Sequence, residues 1–215
     1  MFFIRDHRLL YPSDCSETPL LSWLPSPHYN QNREIVPNLL VIHYTAGASA
    51  RSTAEWCTLP ESRVSYHVII DRDGAIIQQV PFNRRAWHAG QASWNGHNDV
   101  NSFSIGIGLA NWGWLPPDKG VNTPGIIGTL LSPHKSNPDK PYLWECYPRA
   151  QLLTLCALVA ALVEAYPISA VVGHDDIAPN RKLDPGPAFY SLPAYVDRDV
   201  THPLFSLLDC NPGPF

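Results

Sequence analysis

The sequence predicts an α/β fold, a single domain with a mixed central β-sheet flanked by helices. Three observations carry that expectation. Apolar runs of strand length recur along the chain, helical patterns fall between them, and an Asp73–Gly74 pair between two runs signals an antiparallel hairpin. At 215 residues and 45% hydrophobic, the chain can bury one sizeable core, which makes one domain the expectation.

Residues 1–37 are irregular and proline-dotted, as expected of a segment draped over the surface. Asn38 to Thr45 reads as a buried strand, and Ser52 to Thr58 suits a short helix. Ser65 to Asp71 and Ala75 to Val80 read as the strands on either side of the Asp73–Gly74 turn. Ser102 to Ala110 is a further strand, whose glycines permit close backbone approach on one face. Residues 112–146 hold Trp112, Trp114 and Trp144, paired prolines and several glycines, with no periodic pattern. They read as a long loop, either an excursion pinned to the surface by its tryptophans or one wall of a substrate groove. From Pro148 the pattern turns helical, with Leu152, Leu155, Cys156, Val159, Leu162 and Val163 on one broad face. It ends near Tyr166–Pro167 and feeds a strand that runs into His174. The domain is thereby expected at 38–190, with residues 191–215 as a C-terminal appendage.

A net charge of −4 without a basic run argues against nucleic acid as a partner. Five cysteines, an odd number without CxxC spacing, fit a reducing compartment of synthesis. Cys57 and Cys156 read as buried thiols in apolar helical surroundings. The N-terminus MFFIRDHRLL shows neither an apolar signal region nor a small-residue cleavage site, and no stretch approaches the roughly 18 apolar residues of a membrane span. The expectation is a protein made in the cytoplasm, without membrane insertion.

Chemistry enters with three residues far apart in the numbering: His43 in NLLVIHYTAG, and His174 and Asp184 in VVGHDDIAPNRKLDPGPAF. Two imidazoles and one carboxylate form a three-ligand set for one zinc ion, leaving a fourth tetrahedral position for a water. Each residue is held stiffly. His43 closes the apolar run Leu39 to Ile42, His174 closes the run Ile168 to Val172 with Gly173, and Asp184 lies between Pro179 and Pro185. With nine histidines in the chain, the trio draws its weight from the sequence around it.

That surrounding sequence resembles the zinc-dependent N-acetylmuramoyl-L-alanine amidases of the AmpD type, relatives of amidase-type phage lysozymes and peptidoglycan recognition proteins. The matching stretches are LPSPHYN, NLLVIHYTAG, RVSYHVIIDRDGAIIQQVPFNRRAWHAG, NSFSIGIGL and GHDDIAPNRKLDPGPAF, spanning roughly residues 22 to 190. The resemblance implies the amidase and recognition-protein fold, with His43, His174 and Asp184 as ligands of one zinc. It also implies Lys182, two residues before Asp184, as a cation facing the metal, and Arg63 as an arginine near the substrate. Tyr44 and His88 are further candidates for substrate binding, and His88 and His67 equally suit structural or hydrogen-bonding roles beside the metal.

One position departs from the family. AmpD-type enzymes usually read SIGIE at the end of the fourth predicted strand, where the glutamate activates the water. Here the stretch is Ser104-Ile105-Gly106-Ile107-Gly108, and Gly108 has no titratable group. Three readings stand side by side: an inactivating replacement, a natural muropeptide binder that keeps its zinc, or a proton shuttle supplied by another residue. Tyr66 leads the third reading, because the lysozyme-like and recognition-protein branches carry a tyrosine there and also lack the glutamate. Glu145 is a weaker candidate. A glutamate restored at Gly108 is expected to fit at small cost.

The resemblance implies cleavage of the amide between N-acetylmuramic acid and L-alanine in peptidoglycan or its muropeptide fragments, as recycling enzyme or as phage-type wall hydrolase. Action outside the cytoplasm would need a separate release route. Tyr44 and Asp99 stand where recycling enzymes carry an asparagine and an arginine, which weakens a preference for anhydro-muropeptides. The competing reading is a zinc-containing muropeptide-binding protein with little turnover.

Overall fold

The computed structural model describes residues 2–11, 21–116 and 126–191. Its centre is a six-stranded mixed sheet of β1 (Leu21–Trp23), β2 (Leu39–Tyr44), β3 (Val68–Ile70), β4 (Ile76–Gln78), β5 (Ser104–Leu109) and β9 (Ala170–Gly173), in the order β9-β2-β5-β3-β4-β1. β9, β2, β5 and β3 run parallel, and β4 returns antiparallel to β3 through the expected turn, where Gly74 takes φ 89°. Because β2 lies between β9 and β5 and is covered on both faces, its sequence is a continuous apolar run and not an alternating one.

The two faces of the sheet do different work. On one, Leu40, Ile42, Ile105, Ile107 and Leu109 meet Leu152, Leu155, Val159 and Leu162 of helix α2 (Arg149–Ala165) in the main core. Gln151 of α2 is buried, and its amide donates to the carbonyls of Ile70 and Ala110 at the ends of two strands. On the other face His43 stands across from Gly108, and Val41 across from Gly106. Side chains alternate along a strand, so two glycines two residues apart leave room on this face for the neighbouring rings of His88 and Tyr66. The short helix α1 (Ala50–Trp56) covers part of this face, capped by Ser49, whose hydroxyl accepts from the Ser52 amide.

Two expectations are corrected. The segment 1–37 is structured where described: Phe3–Arg5 pairs with Arg8–Leu10, β1 adds an edge strand parallel to β4, and Phe2 and Leu9 enter the main core. Strands this short carry no readable periodicity. Likewise, 112–146 is no structureless loop, because β6 (Trp114–Leu115), β7 (Thr129–His134) and β8 (Asn137–Glu145) form a three-stranded antiparallel sheet. Prolines 133, 138 and 141 interrupt the alternation that would reveal it. The predicted C-terminal appendage lies outside the described residues, apart from Ser191. No helix among the described residues is long and apolar enough to cross a membrane.

The β7–β8 hairpin is tied to the domain by buried charge. Arg72, just beyond β3, forms a two-pronged ion pair with Glu145 at 2.8 Å for each contact, and the Glu145 side chain is fully buried. His134 Nε2 lies 3.0 Å from Asp175 Oδ2, and the Trp144 ring rests on Gly186, where an added Cβ would fall 2.7 Å from the indole. The hairpin therefore buttresses the segment 174–186, which holds two of the three candidate ligands. Removing one partner of a buried pair costs about 3–5 kcal/mol, whereas replacing both with apolar groups is often neutral. Glu145→Ala should accordingly destabilise the protein by roughly that amount in urea unfolding, and Arg72→Met with Glu145→Leu should recover most of the loss. Equal losses in the single and double variants would show that the pair does not carry the hairpin.

Candidate metal centre and cleft

The parallel strands bring the predicted ligands together at their carboxyl ends. His43 is the penultimate residue of β2, His174 opens the single-turn helix α3 (His174–Ile177) directly after β9, and Asp184 precedes the short helix α4 (Pro187–Tyr190). His43 Nδ1 lies 2.9 Å from His174 Nδ1 and 2.9 Å from Asp184 Oδ2, and His174 Nδ1 lies 3.0 Å from that same oxygen. All three residues are buried. The Asp175 amide donates to the Asp184 carbonyl at 2.8 Å, joining the two loops that carry them.

The donor set can be tested for a metal by counting protons. His174 Nε2 lies 2.9 Å from the Ala89 carbonyl, which can only accept, so Nε2 carries a proton and Nδ1 is the nitrogen turned to the other two residues. Burial, with the neighbouring His174, lowers the pKa of His43 to about 4, so that ring is neutral near pH 7. Burial pushes the Asp184 carboxyl up, but the imidazoles of His174 and His43 outweigh it and hold the group ionised below the usual carboxylate range. Two imidazole nitrogens and a carboxylate oxygen aimed at one point repel unless a proton or a metal cation sits among them. With a proton disfavoured on His43, the residues fit a divalent metal ion.

The trio lines a cavity of about 340 Å³ together with Tyr44, Tyr66 and Lys182. The Tyr66 ring meets His43 edge-on, 5.3 Å between centroids, and its hydroxyl makes no hydrogen bond among the described residues. Burial, and then Asp184, raise this phenol above its ordinary range, so it stays protonated. Lys182 is partly buried on the cavity wall. Tyr44 lies against Gly113, where a Cβ would fall 2.4 Å from its ring. Arg63 is exposed with φ 49°, and Val64, not Arg63, lines the cavity.

Other candidates are committed elsewhere. Glu145 is held by Arg72 and the Trp112 amide and does not line the cavity. His67 donates from Nε2 to the Arg84 carbonyl and accepts the Gly106 amide at Nδ1, a structural role. His88 also lines the cavity but is only 5% exposed, with Nδ1 3.1 Å from His43 Nε2 and Nε2 3.2 Å from Ser104 Oγ. Neither ring nitrogen is left for a substrate. Sequence reasoning missed the Ala89 carbonyl, Asn101, Ser104 and Arg181. The signal for two of them is visible, since Asn101 and Ser104 are polar residues at the head of an apolar strand.

The sequence profile of the N-acetylmuramoyl-L-alanine amidase family matches residues 31–187. The chain belongs to the N-acetylmuramoyl-L-alanine amidase family. It is 34% identical over 186 residues to 1,6-anhydro-N-acetylmuramyl-L-alanine amidase AmpD of Escherichia coli, an alignment covering 77% of this chain and 85% of the relative. A crystal structure of a selenomethionine derivative of AmpD matches with a TM-score of 0.54 at 32% identity, covering 82% of this chain and 94% of the other. The amidase AmiD from Escherichia coli, in complex with the substrate anhydro-N-acetylmuramic acid-L-Ala-D-γ-Glu-L-Lys, matches with a TM-score of 0.55 at 29% identity. That match covers 87% of this chain and 62% of AmiD.

Within this amidase scaffold, Gly108 and Tyr66 are complementary. A Cβ at Gly108 would fall 3.3 Å from Tyr66 Cγ and Cδ1 and 3.3 Å from Thr45 Cγ2. A side chain at this position therefore requires the Tyr66 ring and the Thr45 methyl to yield by a few tenths of an ångström, a tighter fit than the sequence alone suggests.

The buried histidines also set a pH dependence. Burial lowers His67 to about 4, as it does His43, against an ordinary 6.5. Between those values the unfolded chain binds protons that the folded chain refuses, so stability is full above about pH 6.5 and falls as the pH drops toward 4. The metal-free protein should lose about 3 kcal/mol or more across that window in urea unfolding. A flat profile would contradict neutral burial of these rings.

Proposed function

We propose that the chain is a zinc-dependent amidase that hydrolyses the amide between N-acetylmuramic acid and L-alanine in peptidoglycan or muropeptides. The observation that carries this is the convergence of His43 Nδ1, His174 Nδ1 and Asp184 Oδ2 on one point of a cavity that also holds Lys182 and Tyr66. Zinc held by the trio would polarise the scissile carbonyl and bring a water's pKa near neutrality. The substrate named for the AmiD complex supports a lactyl–alanine amide as the bond presented to this cleft.

The chain's own residues then have separable roles. Lys182 supplies a fixed cation toward the oxygen that becomes negative in the tetrahedral transition state. Tyr66, kept protonated by its surroundings, offers a hydrogen bond to the same oxygen or passes a proton toward the leaving amine. It replaces in space what Gly108 lacks in chemistry. Asp99 is a carboxylate that occupies Arg85 and Arg33, so this position supplies no positive charge for a stem-peptide carboxylate. Arg63, exposed next to the cavity-lining Val64, remains the candidate for that contact.

Mass spectrometry of a muropeptide digest tests the proposal. Zinc-loaded protein should release free L-Ala-peptide, and chelation should stop it. Intact ligand bound with measurable affinity would instead favour a receptor. Lys182→Ala should lower kcat by about 10²-fold or more with metal content unchanged, the order seen for a lost oxyanion donor. Unchanged turnover would return Lys182 to the surface.

Tyr66→Phe should cost about 10²-fold or more if the phenol moves a proton. Because a side chain at Gly108 presses on the Tyr66 ring, Gly108→Glu should raise the rate more in a Tyr66→Ala background than in the wild type. An equal gain in both backgrounds would refute the packing account.

A further inference from the structure

The two candidate imidazole ligands both lean on one dipeptide. His174 Nε2 meets the carbonyl of Ala89 at 2.9 Å, and His43 Nε2 meets the ring of His88 at 3.1 Å. That dipeptide is itself clamped, because the Asn101 side-chain oxygen accepts the amides of His88 and Ala89 at 3.1 and 2.9 Å. Arg181 donates to the Ala89 carbonyl from the opposite side. The His88 ring lies flat on Gly106, where a Cβ would fall 2.3 Å from its Cγ, so β5 leaves a slot for this ring and for nothing larger beneath it.

Proton positions follow in sequence from one fixed end. Ser104 Oγ lies 2.7 Å from the carbonyl of Val100, which can only accept, so the single hydroxyl proton goes there. Ser104 Oγ must then accept from His88, which places a proton on His88 Nε2. His88 is buried among His43 and His67, at 5.2 and 5.8 Å between ring centroids, and no carboxylate contacts it among the described residues. A second proton would make an unpaired buried cation there, so Nδ1 is an acceptor. His43 Nε2–H therefore donates to it, and His43 Nδ1 is the nitrogen left with a lone pair.

We infer that Ser104, His88 and the Ala89 carbonyl are the positioning groups of the metal centre, which hold both ligand imidazoles as Nε2–H tautomers with Nδ1 aimed at one point. This extends the zinc reading above and rests on it for its effect on metal, though the proton relay itself is a property of the metal-free chain. Loss of such hydrogen bonds to a ligand typically costs about 10–100-fold in metal affinity.

The test joins zinc affinity, measured by chelator competition on the full chain, with long-range ¹H–¹⁵N spectra of the histidines. His88→Phe should weaken zinc binding by about 10–100-fold, and His88→Asn, whose amide oxygen can accept near the Nδ1 position, should recover most of it. Ser104→Ala should move affinity in the same direction as His88→Phe. In the metal-free wild type the spectrum should show His88 as the Nε2–H tautomer, and in the zinc-loaded protein His43 and His174 should show the same. Undiminished affinity in His88→Phe, or a proton on His88 Nδ1, would overturn the inference. A wild type that binds no zinc would refute the metal reading instead, and the His88 tautomer would still decide the relay. If His88→Phe does not fold, the asparagine variant and the wild-type spectra decide it.

Discussion

The site is built around one constraint, the convergence of three buried polar side chains on one point. His43 Nδ1, His174 Nδ1 and Asp184 Oδ2 lie within hydrogen-bonding distance of each other on the wall of one cavity. A buried carboxylate and two buried imidazoles are costly to bring together, so the surrounding structure has to hold them there. The parallel trio β9, β2 and β5 brings the strand ends at His43 and His174 to the same edge of the sheet. The hairpin β7–β8, anchored by Arg72–Glu145 and by Trp144 on Gly186, braces the segment 174–186 that carries His174 and Asp184.

The same constraint explains the glycines of β5. They are paired with the strand that carries His43, on its functional face, and each one makes room for a ring: Gly106 for His88 and Gly108 for Tyr66. The Tyr66 ring packs 3.3 Å from where a Cβ on Gly108 would stand and lines the same cavity as the trio. The two positions touch, which is why they are best varied together.

Much of this was legible in the sequence because the chemistry sits at the ends of apolar runs. His43 after Leu39–Ile42 and His174 after the 168–173 run mark strand ends, and Asp73–Gly74 marks the hairpin between β3 and β4. What stayed hidden depends on tertiary position. β1 is three residues long and joins the sheet only through its partner β4. β8 carries two prolines, and its ion pair reaches Arg72 from a remote part of the chain. Nothing in AWHAG says that His88 points inward, since only the register of β5 beneath it turns the ring toward His43. The close approach of Tyr66 to Gly108 is hidden for the same reason.

The central claim is that these three atoms form one metal-binding site, and diffraction at the zinc absorption edge from zinc-grown crystals tests it most directly. The account predicts a single strong anomalous peak bonded to Nδ1 of His43, Nδ1 of His174 and one oxygen of Asp184, at about 2.0–2.2 Å from each. A peak on the Nε2 side of either imidazole, or zinc found only at other residues of the chain, would contradict it.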